Sequence, residues 1–383
     1  MLTELTLAHA AGTTPLVIGP GALAAAADRL APWLAGRTLF VLSAPPVRAL
    51  HGERLQALAA AAAQRVDLDA PDGEAAKRVT VAERLWERML EAGGRRDSRL
   101  VAFGGGSVGD LGGFVAGCFL RGIEWAALPT TLLAQVDASI GGKTAVDLPG
   151  GKNTVGLFHH PAAVVADVDL LATLPRRDLA GGLVESIKMA LVLDADLFVR
   201  LERDLEALLA ADPAALAAVV AASAAAKVGV VESDEREAGR RRLLNLGHTL
   251  GHAVESALGY SPAGDGLTHG EAVAYGLLFA LRLAERRGLD AAEPELFARV
   301  RRLVARLGLP PLPAGRLDAG DLVSRLGRDK KARRQGLVWV LPRCLGDGRA
   351  EGEMVASLGA GEVRAEVARF LAEPFARWRP GGL

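Results

Sequence analysis

Lysine is scarce in this chain. Of 45 basic residues only seven are lysines, Lys77, Lys143, Lys152, Lys188, Lys227, Lys330 and Lys331, so arginine carries positive charge almost everywhere else. Asparagine is scarcer still, with Asn153 and Asn245 alone. Arginine is a broad, permanently charged fork, whereas lysine is a compact point charge whose pKa can move. A chain that avoids lysine on its surface but keeps it at a few positions points to sites that need the compact ammonium. Most of these lysines sit inside clusters that contain glycine or histidine, which argues against compositional drift.

Other absences exclude whole classes of function. Two cysteines, Cys118 and Cys344, lie far apart and form no metal-type spacing, so no disulfide framework is expected and the chain fits a reducing cytoplasm. Acidic and basic residues balance at 45 each, so neither a nucleic acid nor an anionic membrane surface is indicated as partner. An anionic ligand would have to be met by positive charge concentrated locally. No basic stretch followed by an apolar one opens the chain, and no uninterrupted apolar run reaches membrane-spanning length. A soluble, cytoplasmic protein is expected. Aromatics make up only 4%, which leaves a core packed by alanine, leucine and valine.

At 383 residues, two domains are expected. Short apolar runs at 37–42, 100–103, 125–128 and 164–168 read as strands. Residues 50–64 and 79–91 read as helices between them. Such alternation predicts an α/β domain with a parallel, helix-covered sheet over 1–174. Beyond it, segments 179–193, 196–209, 213–232, 243–258, 270–287 and 293–307 all read as helices, giving a mainly helical domain over 175–383. The alanine runs favour helix over disorder. No internal repeat is present.

Two clusters carry chemistry. Gly104, Gly106 and Gly109 match G-x-G-x-x-G after a strand, where glycine lets backbone approach a pyrophosphate at a helix N-terminus. No acidic residue follows at the customary distance of about twenty residues, so a tight structural turn and a dinucleotide site both fit. Lys77, in the segment 72–77 (DGEAAK), precedes the helix leading to this cluster. The second cluster places Asn245, His248 and His252 at i, i+3 and i+7, read as one stripe of a helix. His269 follows, and Glu185 and Lys188 sit at i and i+3 on an earlier helix. A carboxylate and imidazoles from separate helices suit a catalytic zinc site with open positions. Thr249 stands where a zinc peptidase helix requires glutamate, which counts against that reading. The spacing leaves open whether His252 joins the metal or faces substrate.

The segments 103–110 (FGGGSVGD), 128–131 (LPTT), 135–146 (QVDASIGGKTAV), 151–153 (GKN), 242–255 (RLLNLGHTLGHAVE), 269–273 (HGEAV) and 328–331 (RDKK) resemble 3-dehydroquinate synthase, in order and with near-uniform spacing. The resemblance implies a homodimer with a nucleotide-binding α/β domain and a helical metal domain. It implies conversion of 3-deoxy-D-arabino-heptulosonate 7-phosphate, an anionic phosphorylated sugar acid, to 3-dehydroquinate and phosphate in the shikimate pathway. NAD acts catalytically there: oxidation at C5 acidifies the neighbouring C–H, phosphate leaves, the ketone is reduced again, and an aldol step closes the ring.

By the same resemblance Glu185, His248 and His269 hold zinc, with cobalt as a possible substitute. Asp137, Lys143, Lys188, Lys227, Asn245 and His252 act at the substrate, and Lys152, Asn153, Arg241 and one of Lys330 and Lys331, with Lys331 preferred, help to bind it. Arg121 is supplied across the dimer interface to bind phosphate. Glu74, Lys77, Gly105, Gly106, Asp110, Thr130 and Thr131 contact NAD. The segment 185–190 (ESIKMA) departs from the family's usual valine and aromatic–glycine pair, at positions expected to be packing positions. Two rival enzymes fit less well: another sugar phosphate cyclase, and a metal-dependent polyol dehydrogenase that would release NADH. A non-catalytic relative would be expected to have lost part of this residue set.

Overall fold

The computed structural model describes residues 1–259, 266–289, 293–328, 337–346 and 355–373. They group into two compact units, Met1–Pro175 with Ala211–Glu232, and Arg176–Ala210 with Ser233–Leu383.

The first unit is built on a seven-stranded sheet. Its strands are β1 (Thr3–His9), β2 (Gly12–Gly19), β3 (Thr38–Ser43), β4 (Gln64–Asp69), β5 (Arg99–Gly104), β6 (Glu124–Pro129) and, after a separate hairpin of β7 (Lys143–Leu148) and β8 (Gly151–Phe158), β9 (Ala163–Asp167). The order across the sheet is β1-β2-β9-β6-β5-β3-β4, with β1 and β2 antiparallel and the rest parallel. Strands β5 and β9 are buried along their whole length, as continuous apolar runs covered on both faces must be. The edge strand β4 instead alternates exposed and buried side chains.

The strand readings at 37–42, 100–103, 125–128 and 164–168 fall on β3, β5, β6 and β9. The helix read over 50–64 is corrected. Helical residues begin at Pro45, where proline suits the first turn, and the run breaks at Gly52 into short pieces ending at Ala59. Gln64 already opens β4, whose period-two pattern (QRVDLD) was hidden behind the alanine run.

The helix Pro213–Ser233 groups with this α/β unit rather than with the helices that flank it in sequence. Among the described residues it alone is long and apolar enough to cross a membrane. Half of that window is buried in the structure, as in the core helix of a globular protein. Its polar interruption, Lys227, is itself buried.

The second unit is helical. Arg176–Leu193 and His269–Arg286 are buried nearly all round and pack against one another, with His248–Leu258 against the latter. Ala195–Leu209, Leu296–Arg306, Ala319–Arg328 and Ala360–Ala372 surround them, with a small hairpin of Leu337–Val340 and Val355–Leu358. The departures from the family pattern, Ser186, Met189 and Ala190, are all fully buried and serve packing. Both cysteines are free.

Candidate active-site clusters

In the first unit the glycine cluster forms a strand–turn–helix. β5 ends at Gly104 and a helix runs from Gly106 to Cys118. Gly105 caps that helix with no side-chain hydrogen bond, so its first N–H groups remain available to a ligand. A Cβ on Gly105 would meet the Thr131 methyl at 3.0 Å, and one on Gly106 would meet Ala138 at 3.2 Å. Thr130 donates its N–H to the Gly104 carbonyl at 3.0 Å. The cradle is narrow, and a side chain would fill it. These residues therefore fit a dinucleotide pyrophosphate.

Lys77 stands beside this cradle, almost fully buried. Its ammonium donates to Asp110 at 2.7 Å and to the Asn153 side-chain oxygen, with Glu74 at 3.9 Å and Asp147 at 4.0 Å. Lys152 pairs with Glu74 at 3.0 Å, and Ser107 donates to the other Glu74 oxygen at 3.1 Å. Burial opposes the Lys77 charge, but Asp110 and Glu74 outweigh it and raise its pKa. For Asp110 burial wins and its pKa rises, with Lys77 only partly offsetting it. Burial would lift Glu74 as well, yet Lys77 and Lys152 hold it below its ordinary value.

Asp147, absent from the sequence reading, ties this group together. Its N–H donates to the Lys77 carbonyl and its carboxylate accepts the Asn153 N–H, both at 2.7 Å. Asn153 has a left-handed φ of 50°, a region asparagine tolerates better than most residues, and these bonds hold it there.

Two further expected residues meet in this unit. Lys227 donates to both the backbone carbonyl and the carboxylate of Asp137. Lys143 opens β7, exposed. Arg121 is also exposed, in a left-handed stretch with φ of 49° at Leu120, 70° at Arg121 and 116° at Gly122.

The second unit gathers the metal candidates. Glu185 and Lys188 are each 1% exposed in a helix otherwise lined by apolar groups. Buried charges of this kind are paired or bind metal. Neither Glu185 oxygen accepts a hydrogen bond of ordinary geometry. Oε1 faces Nε2 of His248 at 3.6 Å and Nε2 of His269 at 3.5 Å, while the Lys188 ammonium rests against Oε2. Ligand atoms about 2.1 Å from a tetrahedral cation stand about 3.4 Å apart, so the spacing fits a zinc-type shell. One nitrogen each of His248, His252 and His269 can be chosen so that all three lie within 4.8 Å of one another. This geometry leaves His252 able to join the ligands or to face substrate.

Protonation follows the charges. Burial, with the nearby Lys188, holds His248 well below its ordinary pKa. Burial opposes protonation of His269 too, but the Glu185 and Glu255 carboxylates overcome it and raise the pKa to about 10.

Glycines set this convergence. A Cβ on Gly270 would lie 2.3 Å from the Gly181 carbonyl oxygen, so the two helices touch backbone to backbone beside His269 and one turn before Glu185. A Cβ on Gly276 would lie 1.8 Å from the Gly247 oxygen, next to His248. Thr268 and Glu271 form a capping box that starts the helix at His269, and Arg177 grips both Glu271 oxygens at 2.6 and 2.8 Å.

The single helical stripe expected for Asn245, His248 and His252 is corrected. Residues 240–245 form a separate 3-10 turn, and Gly247, at φ 78°, breaks the chain before the helix begins at His248. Asn245 instead donates to Glu237 at 2.7 Å. Arg241, 2% exposed, donates to the Glu235 carbonyl at 2.6 Å. Asp234 accepts N–H bonds from Ala238, Gly239 and Arg241 and so shapes that loop. Sequence reading missed Asp234, Glu237 and Arg177. Only the Thr268-x-x-Glu271 spacing carried a sequence signal for the capping box. Lys330 and Lys331 lie outside the described residues.

Residues 67–181 match the 3-dehydroquinate synthase N-terminal family and residues 182–332 its C-terminal family. A 3-dehydroquinate synthase of Caulobacter vibrioides is 44% identical over 338 residues, 87% of this chain and 90% of that protein. Among solved structures, a 2-deoxy-scyllo-inosose synthase complexed with carbaglucose-6-phosphate, NAD+ and Co2+ superposes with a TM-score of 0.85 at 26% identity, covering 96% of this chain and 100% of that one. A 2-epi-5-epi-valiolone synthase from Streptomyces hygroscopicus with NAD+ and Zn2+ bound gives 0.79 at 30% identity, covering 94% and 97%. The fold is that of the sugar phosphate cyclases. Within them, the chain belongs to the 3-dehydroquinate synthase family.

Proposed function

We infer that the chain catalyses the 3-dehydroquinate synthase reaction, from 3-deoxy-D-arabino-heptulosonate 7-phosphate to 3-dehydroquinate and phosphate. The observation that carries the chemistry is the buried Glu185 carboxylate, paired with Lys188 through Oε2 and facing two imidazoles at 3.5 and 3.6 Å through Oε1, in a chain 44% identical to curated members of the family.

In this reading Glu185, His248 and His269 hold a divalent metal, zinc or cobalt, and Glu74, Lys77, Gly105, Gly106, Asp110, Thr130 and Thr131 hold NAD. The metal supplies Lewis-acid stabilisation of developing alkoxide, and NAD supplies reversible oxidation at one carbon. The protein positions the substrate and balances its charge. Lys143, Lys152, Lys227, Arg241 and Lys331 meet the phosphate and carboxylate, with Asn153 and Asn245 supplying neutral hydrogen bonds. Lys227 keeps the Asp137 carboxylate oriented, and Lys188 sets the charge beside Glu185. His252 shares the helix stripe of His248 and exchanges protons with substrate oxygens. The protein acts in the cytoplasm as a homodimer, with Arg121 supplied to the partner's phosphate site. The left-handed backbone that presents Arg121 at the surface supports this role.

The test is phosphate release and 3-dehydroquinate formation with trace NAD, before and after chelation. Chelator-sensitive turnover without net NADH is expected. Net NADH would instead identify a polyol dehydrogenase, and bound NAD and metal without reaction would redirect the search to other sugar phosphates.

A further inference from the structure

Glu255 has no role in the reading above, yet it is 4% exposed and shares a helical stripe with His248 and His252. Its Oε2 lies 3.4 Å from Nδ1 of His269. The opposite ring nitrogen, Nε2, faces Glu185 at 3.5 Å. His248 is arranged in the same way, with Nδ1 facing the Leu246 carbonyl at 3.1 Å and Nε2 facing Glu185 at 3.6 Å. In both rings the oxygen acceptor facing Nδ1 holds a proton on that nitrogen and fixes the ring so that Nε2 faces the Glu185 carboxylate, the nitrogen that a metal would take.

We propose that Glu255 is a positioning residue for the metal centre: it fixes the tautomer and ring orientation of His269, as the Leu246 carbonyl does for His248. The proposal rests on the metal-site reading given above. Glu255 approaches the far side of the His269 ring, where the two nitrogen lone pairs diverge, so it does not share a cation held at Nε2. A carboxylate in that place also strengthens the imidazole as a donor, and loss of such partners typically costs about 10–100-fold in metal affinity.

Zinc affinity, measured by competition with a chromophoric chelator, tests this in Glu255→Ala, Glu255→Gln and Glu185→Gln, with NAD affinity and the metal-free melting temperature as checks on folding. Glu255→Ala should weaken zinc about 10–100-fold. Glu255→Gln keeps an oxygen acceptor of the same reach and should lose less than Glu255→Ala. Its cobalt-loaded form should keep the wild-type visible absorption, because the coordinating atoms are unchanged. Wild-type zinc affinity in Glu255→Ala, with Glu185→Gln severely impaired, would overturn the positioning role while leaving the metal site in place. A loss in Glu255→Gln as large as in Glu185→Gln would overturn it by making Glu255 a ligand. Wild-type affinity in all three would overturn the metal-site reading itself.

Discussion

Gly270→Ala places a methyl group where the second unit has no room for one. The new Cβ would lie 2.3 Å from the Gly181 oxygen and 2.6 Å from its carbonyl carbon, whereas ordinary contact begins at 3.4 Å. Both obstacles are backbone, so no rotamer change relieves them, and the helices must part by about 1 Å. Overpacking of this kind costs about 1–3 kcal/mol, working against the gain of up to about 1 kcal/mol that alanine brings to a helix interior. The functional cost is larger in proportion. His269 precedes the contact and Glu185 lies one turn beyond Gly181, so their separation grows by a comparable amount. Metal shells tolerate only about 0.2 Å. The expected result is a lower melting temperature for the metal-free protein and at least tenfold weaker zinc binding, with NAD binding unchanged. A variant that melts higher than wild type and binds zinc within threefold of it would refute the argument that this glycine contact sets the ligand spacing.

Three further outcomes are expected. Lys227→Arg should fold normally but lose at least about 100-fold in kcat/KM, about 2.7 kcal/mol, because a guanidinium cannot occupy the compact site between the carbonyl and carboxylate of Asp137; near-normal turnover would remove the argument from lysine scarcity. Tyr275 donates to the Pro310 carbonyl at 2.6 Å, and burial raises its pKa from 10.0 to about 12. Its neutral form therefore stabilises the fold fully below pH 10, and that contribution is lost as pH rises from 10 to 12. Tyr275→Phe should lower stability by about 1 kcal/mol at neutral pH and flatten this alkaline limb in urea titrations; parallel limbs for the two proteins would contradict it. Gly229→Ala, where a Cβ meets nothing within 4 Å on an ordinary helix, should raise stability by about 0.5–1 kcal/mol, read as a shift in the denaturant midpoint.

The sequence by itself determined the chemistry-bearing residue types and much of the local structure. β3, β5, β6 and β9 were legible because their apolar runs are short and bounded, and the helix Val79–Glu91 because its stripe is regular. Residues 50–64 misled because alanine favours helix wherever it stands, and the period-two strand began at the end of the run. Asn245 was misplaced by one glycine, since its spacing from His248 suits a helix but Gly247 adopts a left-handed turn. Scarcity of lysine and asparagine marked residues that the structure then found engaged, Lys77 with Asn153 and Lys227 with Asp137.

Tertiary structure alone decided which of these residues meet. Asp147 meets Lys77 and Arg177 meets Glu271 across long stretches of chain, and Glu255 reaches His269 from a different helix, so no local period announces these pairings. The placement of Glu185 3.5 Å from His269 depends on two glycines touching across a helix crossing. That distance belongs to the packing of two backbones, which no single segment encodes.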